Sequence, residues 1–224
     1  MRALQNRLHY TFRDPELLLT AVTHPSYGAD HRVPHNQRLE FLGDAVLQLV
    51  ISQRLYRMFP GEGEGTLSRA RALVVREQSL SDAASALRLG GHLRLSPGEE
   101  RSGGRDKPSI LADALEAVFA AVYLDGGLDA ATGVILAAMQ GALAGDLIED
   151  SLDYKSLLQM RVQQAGLPFP VYELVCASGQ PHLPHFVMRV LVDGRPLGEG
   201  EGASKQAAQQ QAARVALQSD QIPQ

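Results

Sequence analysis

Four acids stand at spacings that could do chemistry. Glu40 and Asp44 lie four residues apart in RLEFLGDAVLQLVIS, and Asp113 and Glu116 lie three apart in SILADALEAVFAAVYL. Both stretches read as helices that are apolar almost all the way round, a pattern expected of buried helices. The spacings put each pair on one helix face, with Cβ atoms about 5–6 Å apart. An ionised carboxylate taken out of water without a partner costs many kcal/mol, so something must neutralise these acids. If the two helices pack face to face, four carboxylates could converge on a divalent cation. An all-oxygen set suits Mg²⁺, with Mn²⁺ able to substitute, rather than zinc or copper. Such ions activate water for in-line attack and stabilise a leaving oxygen. The alternative is that the acids are solvated or paired with Arg38, Arg69 or Arg71. A di-iron bundle site would need Glu-x-x-His pairs, and these helices carry none.

The elements that must hold the acids follow from local signals. The first 145 or so residues read as nearly all helix. Asp14-Pro15-Glu16 supplies an N-cap, an N1 proline and a first-turn acid for PELLLTAVTH, and His24-Pro25 is expected to end it, with His24 as a capping or terminating residue. A helix is expected from Gln37 to Met58, stopping at Pro60-Gly61. Another covers TLSRARALVVREQSLSDAASALRLGG, with a break at Ser81-Asp82 suited to a new N-cap. SPGEERSGGRDKPS reads as a glycine-rich charged loop, and Asp125-Gly126-Gly127 as a turn before a weaker helix. Gly61, Gly63 and Gly65 form a turn and no phosphate loop, since no GK[ST] follows.

Composition changes after Asp150. KSLLQMRVQQAG predicts a helix ended by Gly166, VYELVCAS and HFVMRVLV predict strands, Pro196–Gly200 a short third strand, and ASKQAAQQQAARVALQ a long final helix. The expected architecture is an all-α domain over residues 1–148, a short linker at 149–151, and a small α+β domain (α-β-β-β-α) over 152–220.

The net charge of −4 is the wrong sign for a nucleic-acid binder, but its distribution is informative. Residues 1–151 hold 15 Lys plus Arg against 19 Asp plus Glu, whereas 152–224 hold 6 against 6. The whole excess sits with the paired acids, where bound divalent cations would reverse the local sign. Cys176 is the only cysteine, so an intramolecular disulfide and a cysteine zinc site are excluded, which suits the cytoplasm. The start has no apolar signal region, and acids interrupt the most apolar stretches, so neither export nor membrane spanning is expected.

The segment HNQRLEFLGDAVL resembles the signature of ribonuclease III. THPSY at 23–27, EGTLSRARALVV at 64–75, SILADALEAVFAAVYLDGG at 109–127 and the α-β-β-β-α tail follow in the order found in bacterial members. The tail separately looks like a double-stranded-RNA-binding domain. The resemblance implies a homodimeric endonuclease that hydrolyses double-stranded RNA with Mg²⁺, leaving 5′-phosphate and 3′-hydroxyl ends, with roles in rRNA and mRNA processing. By motif, Glu40, Asp44, Asp113 and Glu116 match the metal-site acids, with Asp44 and Glu116 foremost in catalysis. Glu64 matches a further acid at the edge of the site, Lys107 lies in the basic approach to the second acidic helix, and Phe41 matches an aromatic that plugs a cavity in the partner subunit.

The tail's RNA-binding residues follow from the same resemblance. Gln159 and Gln163, four apart on the first tail helix, could both face the minor groove, where amides reach 2′-hydroxyls. His182, in GQPHLPHF, resembles the loop that enters that groove. Ser204 and Lys205 open the last helix, where free N–H groups and the dipole favour phosphate. Two departures stand out. Gln37 occupies a position that is Glu in many bacterial members, and Gln206 and Gln209 stand where further lysines are common, so weaker phosphate affinity is expected of this helix. Two rival readings are a non-cutting RNA-binding protein and a phosphohydrolase of small nucleotides. The four acids argue against the first and the tail against the second.

Overall fold

A computed structural model of the chain describes residues 1–144, 154–180 and 183–219. The chain divides into two compact units, Met1–Ser151 and Leu152–Gln224.

The first unit is helical. It opens with α1 (Arg2–Leu8), which buries Leu4 and Leu8 and was not anticipated, because seven residues with two core positions carry almost no periodic signal. In α2 (Pro15–Ala21) the Asp14 carboxylate accepts from the Glu16 N–H at 3.0 Å, as its N-cap signature predicts. His24-Pro25 does not end that helix but begins α3 (Pro25–His31). Pro25 takes the first position, where no N–H is needed, and His24 Nδ1 accepts from the Ser26 N–H at 3.2 Å. The long α4 spans Gln37–Met58. After it come α5 (Glu64–Val74) and α6 (Glu77–Ala86). Their break lies at Val75-Arg76 and not at Ser81-Asp82: the Ser79 hydroxyl donates to the Leu73 carbonyl at the end of α5, and Ser81 is buried within α6.

The expected charged loop is partly folded, with α7 at Pro97–Arg101. Arg105 pairs with Glu100 there, and Lys107 with Glu99 at 2.5 Å. The axis of the unit is α8 (Pro108–Ala138), which packs against α2, α4 and α6 and buries Leu115, Val118, Phe119 and Val122 completely. By length and hydropathy α8 alone among the described helices could cross a bilayer; here the neighbouring helices cover its core-facing side chains. Gly127, at φ 79°, interrupts it at the expected turn. Beside that turn the Asp125 carboxylate accepts from the Tyr10 hydroxyl and from the Arg13 and Asp14 N–H groups. A short α9 (Gln140–Leu143) follows.

The second unit contains α10 (Tyr154–Gln164), strands β1 (Val171–Gln180), β2 (Leu183–Val192) and β3 (Arg195–Gly202), and α11 (Lys205–Gln218). The sheet is antiparallel in the order β1-β2-β3. The third strand is longer than its weak sequence signal suggested. In β3 the alternation of strand faces puts Gly198, Gly200 and Gly202 against α11. A Cβ at Gly200 would fall 2.1 Å from the Ala212 nitrogen, so helix and strand touch backbone to backbone. Leu158, Val162, Val190, Ala212 and Ala216 form the core beneath.

Candidate active site

The four acids meet where α4 crosses α8. The closest approach falls at Gly43, where an added Cβ would lie 1.9 Å from the Glu116 carbonyl oxygen. Only a residue without a side chain permits that approach. Gly43 sits between Glu40 and Asp44, so the crossing carries both toward the Asp113–Glu116 face. Half-buried Glu116 is the hub: burial first, then the charges of Asp44, Asp113 and Glu40, push its carboxyl up to about 8. Burial and the Asp113 charge raise Glu40. Burial and the charge of Glu77 raise Asp113, while His24 pulls it back.

None of the four enters an ion pair among the described residues. Of the three arginines that could have neutralised them, Arg69 donates to Thr66 and Arg71 to Ser52, while Arg38 is exposed and enters no ion pair among the described residues. Among the described residues no three acids or other ligating side chains yet approach closely enough to hold an ion. Asp44 accepts from Gln48 Nε2 at 3.2 Å. The donor set still fits a hard cation, because it offers only carboxylate oxygens short of counter-charge.

Two acids need separate description. Glu64, at the start of α5, accepts from the Ser68 hydroxyl at 2.7 Å and does not join the four within the chain. Glu77, at the start of α6, acts electrostatically on Asp113; it escapes sequence reading because the break expected at Ser81-Asp82 lies six residues beyond the observed one at Val75-Arg76. His24 also borders the site, its pKa lowered mainly by burial, with Glu99 and Asp113 opposing. Lys107 directly precedes α8, and its ammonium is bound to Glu99 and Ser102. Gln37 is the exposed first residue of α4.

Away from the acids, α4 presents a second apolar face. Phe41 is 82% exposed, Leu49 55% and Tyr56 72%. Beside the last two lies a groove of about 670 Å³, lined by Leu49, Leu55, Tyr56, Leu67, Glu64 and Arg71. Full burial is expected of α4, and one stripe of it is instead open.

In the second unit Gln159 and Gln163 are exposed on α10. The Ser204 hydroxyl accepts from the Ala207 N–H at 3.1 Å and caps α11, whose exposed first residue is Lys205. His182 lies outside the described residues. Gln206 is exposed, whereas Gln209 Oε1 accepts from Lys155 Nζ at 2.7 Å.

An acid-centred helical unit is thus followed in the chain by an α-β-β-β-α unit. Residues 14–142 match the Ribonuclease-III-like family, and residues 154–219 match the double-stranded RNA binding motif. Ribonuclease 3 of Pelotomaculum thermopropionicum is 48% identical over 96% of this chain and 90% of its own length. Ribonuclease 3 of Symbiobacterium thermophilum is 46% identical over 94% and 90%. A crystal structure of the ribonuclease III nuclease domain from Campylobacter jejuni superposes with a TM-score of 0.61 at 41% identity, covering 65% of this chain and 97% of that one. A second structure of that domain is described as showing flexibility in a region involved in its dimer formation. The chain belongs to the ribonuclease III family of double-stranded-RNA endoribonucleases.

Proposed function

We propose that this protein cleaves duplex RNA by metal-assisted hydrolysis, leaving 5′-phosphate and 3′-hydroxyl ends, as a homodimer acting on rRNA and mRNA precursors in the cytoplasm. The observation that carries the reading is the α4–α8 crossing, which sets Glu116 among three other carboxylates, none of the four in an ion pair among the described residues. A divalent ion held by Glu40, Asp44, Asp113 and Glu116, Mg²⁺ or Mn²⁺ in its place, would supply Lewis-acid charge and an activated water. Glu116 would release its proton on taking up the ion, because ligation requires the carboxylate. Asp44, the most open of the four, would orient the attacking water, and Lys107, once released from Glu99, would meet a backbone phosphate.

For the second unit, Gln159 and Gln163, Ser204 and Lys205, with His182 from the β1–β2 connection, would hold the duplex. Support comes from the opposite side of the sheet. There Glu199 pairs with Arg189 and Glu201 with His185 at 3.0 Å, a surface that offers phosphate no unpartnered positive charge at these positions. Phe41 and the open stripe of α4 would form the dimer seam. The test is incubation with a long duplex RNA with and without Mg²⁺, followed by end mapping. Cuts leaving 5′-phosphates only when the ion is present are expected, and an uncut duplex that is nonetheless bound would leave a binding protein.

A further inference from the structure

Lys155, the second residue of α10, joins the two helices of the second unit. Its Nζ donates to Gln209 Oε1 at 2.7 Å, and its backbone N–H donates to Gln210 Oε1 at 3.2 Å. The ammonium also lies 5.0 Å from the centre of the Tyr172 ring, within cation–π range. An ammonium has three donors, so one amide oxygen and one ring face leave donor capacity on this half-buried side chain.

The location is informative. Lys155, Gln159 and Gln163 follow at intervals of four along α10 and therefore share one stripe. Gln209 lies four residues beyond Lys205 on α11. The held ammonium thus sits where the glutamine stripe of α10 meets the first turns of α11.

The partner's chemistry is equally telling. Lys107 faces a carboxylate, and so does Arg189, so their charges are largely cancelled. Gln209 is neutral. It fixes the ammonium and leaves the whole positive charge available to an anion. A free lysine side chain carries about 2 kcal/mol of rotamer entropy, and one already held in place loses less of it on binding.

We propose that Lys155 is a second phosphate-contacting charge on the duplex-RNA face, beside Lys205, and that Gln209 is the positioning residue that aims it. This rests on the reading of the second unit as RNA-binding. It also changes what Gln209 means: the glutamine is the holder of a lysine that comes from the other helix, and not simply a missing charge. A lysine at 209 would set one ammonium against another, whereas exposed Gln206 lies off this contact.

The test uses the full-length protein in EDTA, which prevents cutting, with labelled duplex RNA titrated across a salt series. Lys155→Met is expected to weaken binding and flatten the log–log salt slope by about one unit, the release of roughly one counterion. Lys155→Arg should restore the slope. Gln209→Ala should weaken binding several-fold with the slope retained, because the charge remains but is no longer held. Gln206→Lys should steepen the slope and Gln209→Lys should not. A Lys155→Met slope equal to wild type overturns the proposal even if melting temperature falls, since a purely structural tie between helices would behave that way. Equal steepening by Gln206→Lys and Gln209→Lys overturns the positioning role. Wild type without salt-dependent duplex binding removes the RNA-binding reading itself.

Discussion

At the scale of the residue, Glu116 is the most strongly shifted of the four acids, because burial and three neighbouring carboxylates raise its pKa to about 8. Glu116→Gln keeps size and hydrogen bonding but cannot become a carboxylate. Mg²⁺-dependent cleavage should fall at least about a thousandfold, roughly 4 kcal/mol in barrier, while duplex binding in a gel-shift assay persists. Near wild-type cutting at low Mg²⁺ would remove Glu116 from the metal site. The raised pKa also has a consequence for stability. Between the ordinary carboxylate value and about 8 the folded chain holds a proton that the unfolded chain has released, so metal-free stability falls as pH rises through that window. The glutamine variant lacks this loss. Without divalent ions, at about pH 8.5, it should melt roughly 2–4 °C above wild type, the effect of about 1 kcal/mol in a chain of this size. Scanning calorimetry giving the two proteins parallel pH profiles would contradict the assignment. The four acids were legible in the sequence because helical spacing alone pairs them and apolar neighbours make them conspicuous. Glu77, His24 and Lys155 were not, since each matters through a neighbour more than 30 positions away in the chain.

At the scale of the element, the site depends on how closely two helices approach. Helical periodicity located α4 from Gln37 to Met58 and exposed the acid pairs, but it could not locate the crossing. The clue was a glycine in mid-helix, a costly residue there unless backbone must come close. Gly43→Ala drives a methyl group into the Glu116 carbonyl. The expected loss is about 2–3 kcal/mol, as for other overpacked cores, or roughly 4–12 °C in melting temperature. Gly133→Ala on the outer half of α8, where an added Cβ meets nothing within 4 Å, is the matched control and should be neutral or slightly stabilising. Equal melting of both variants would show that the crossing tolerates a side chain. The misplaced break between α5 and α6 has a related cause. A Ser-Asp pair is a good local cap, but the Leu73 carbonyl needed a hydroxyl nearer the end of α5 and took Ser79.

At the scale of the whole molecule, composition was the poorest guide. The net charge of −4 points away from RNA, because it counts carboxylates that a cation would neutralise and cannot weigh partners such as the neutral amide beside Lys155. Apolarity all round α4 was equally ambiguous, since it fits both a buried helix and a helix with one face kept for a second subunit. In the structure Leu47, Val50, Ile51 and Leu55 are in the core, while Phe41, Leu49 and Tyr56 are open. Phe41 and Tyr56 are 15 residues apart, about 22 Å along a helix, with Leu49 near the midpoint. Two copies of α4 packed antiparallel about a two-fold axis at Leu49 would therefore lay each Phe41 over the partner's groove. Wild type should sediment as a dimer at micromolar concentration. Phe41→Glu should be monomeric, because a buried unpaired charge at the seam is strongly unfavourable. Its helical content and melting should stay close to wild type at equal subunit dilution, since Phe41 takes no part in the protomer core. Coordinated cleavage of both strands should be lost with the dimer, because each protomer carries a single acid cluster. A monomeric wild type, or a Phe41→Glu variant that still sediments as a dimer, would place the subunit interface elsewhere.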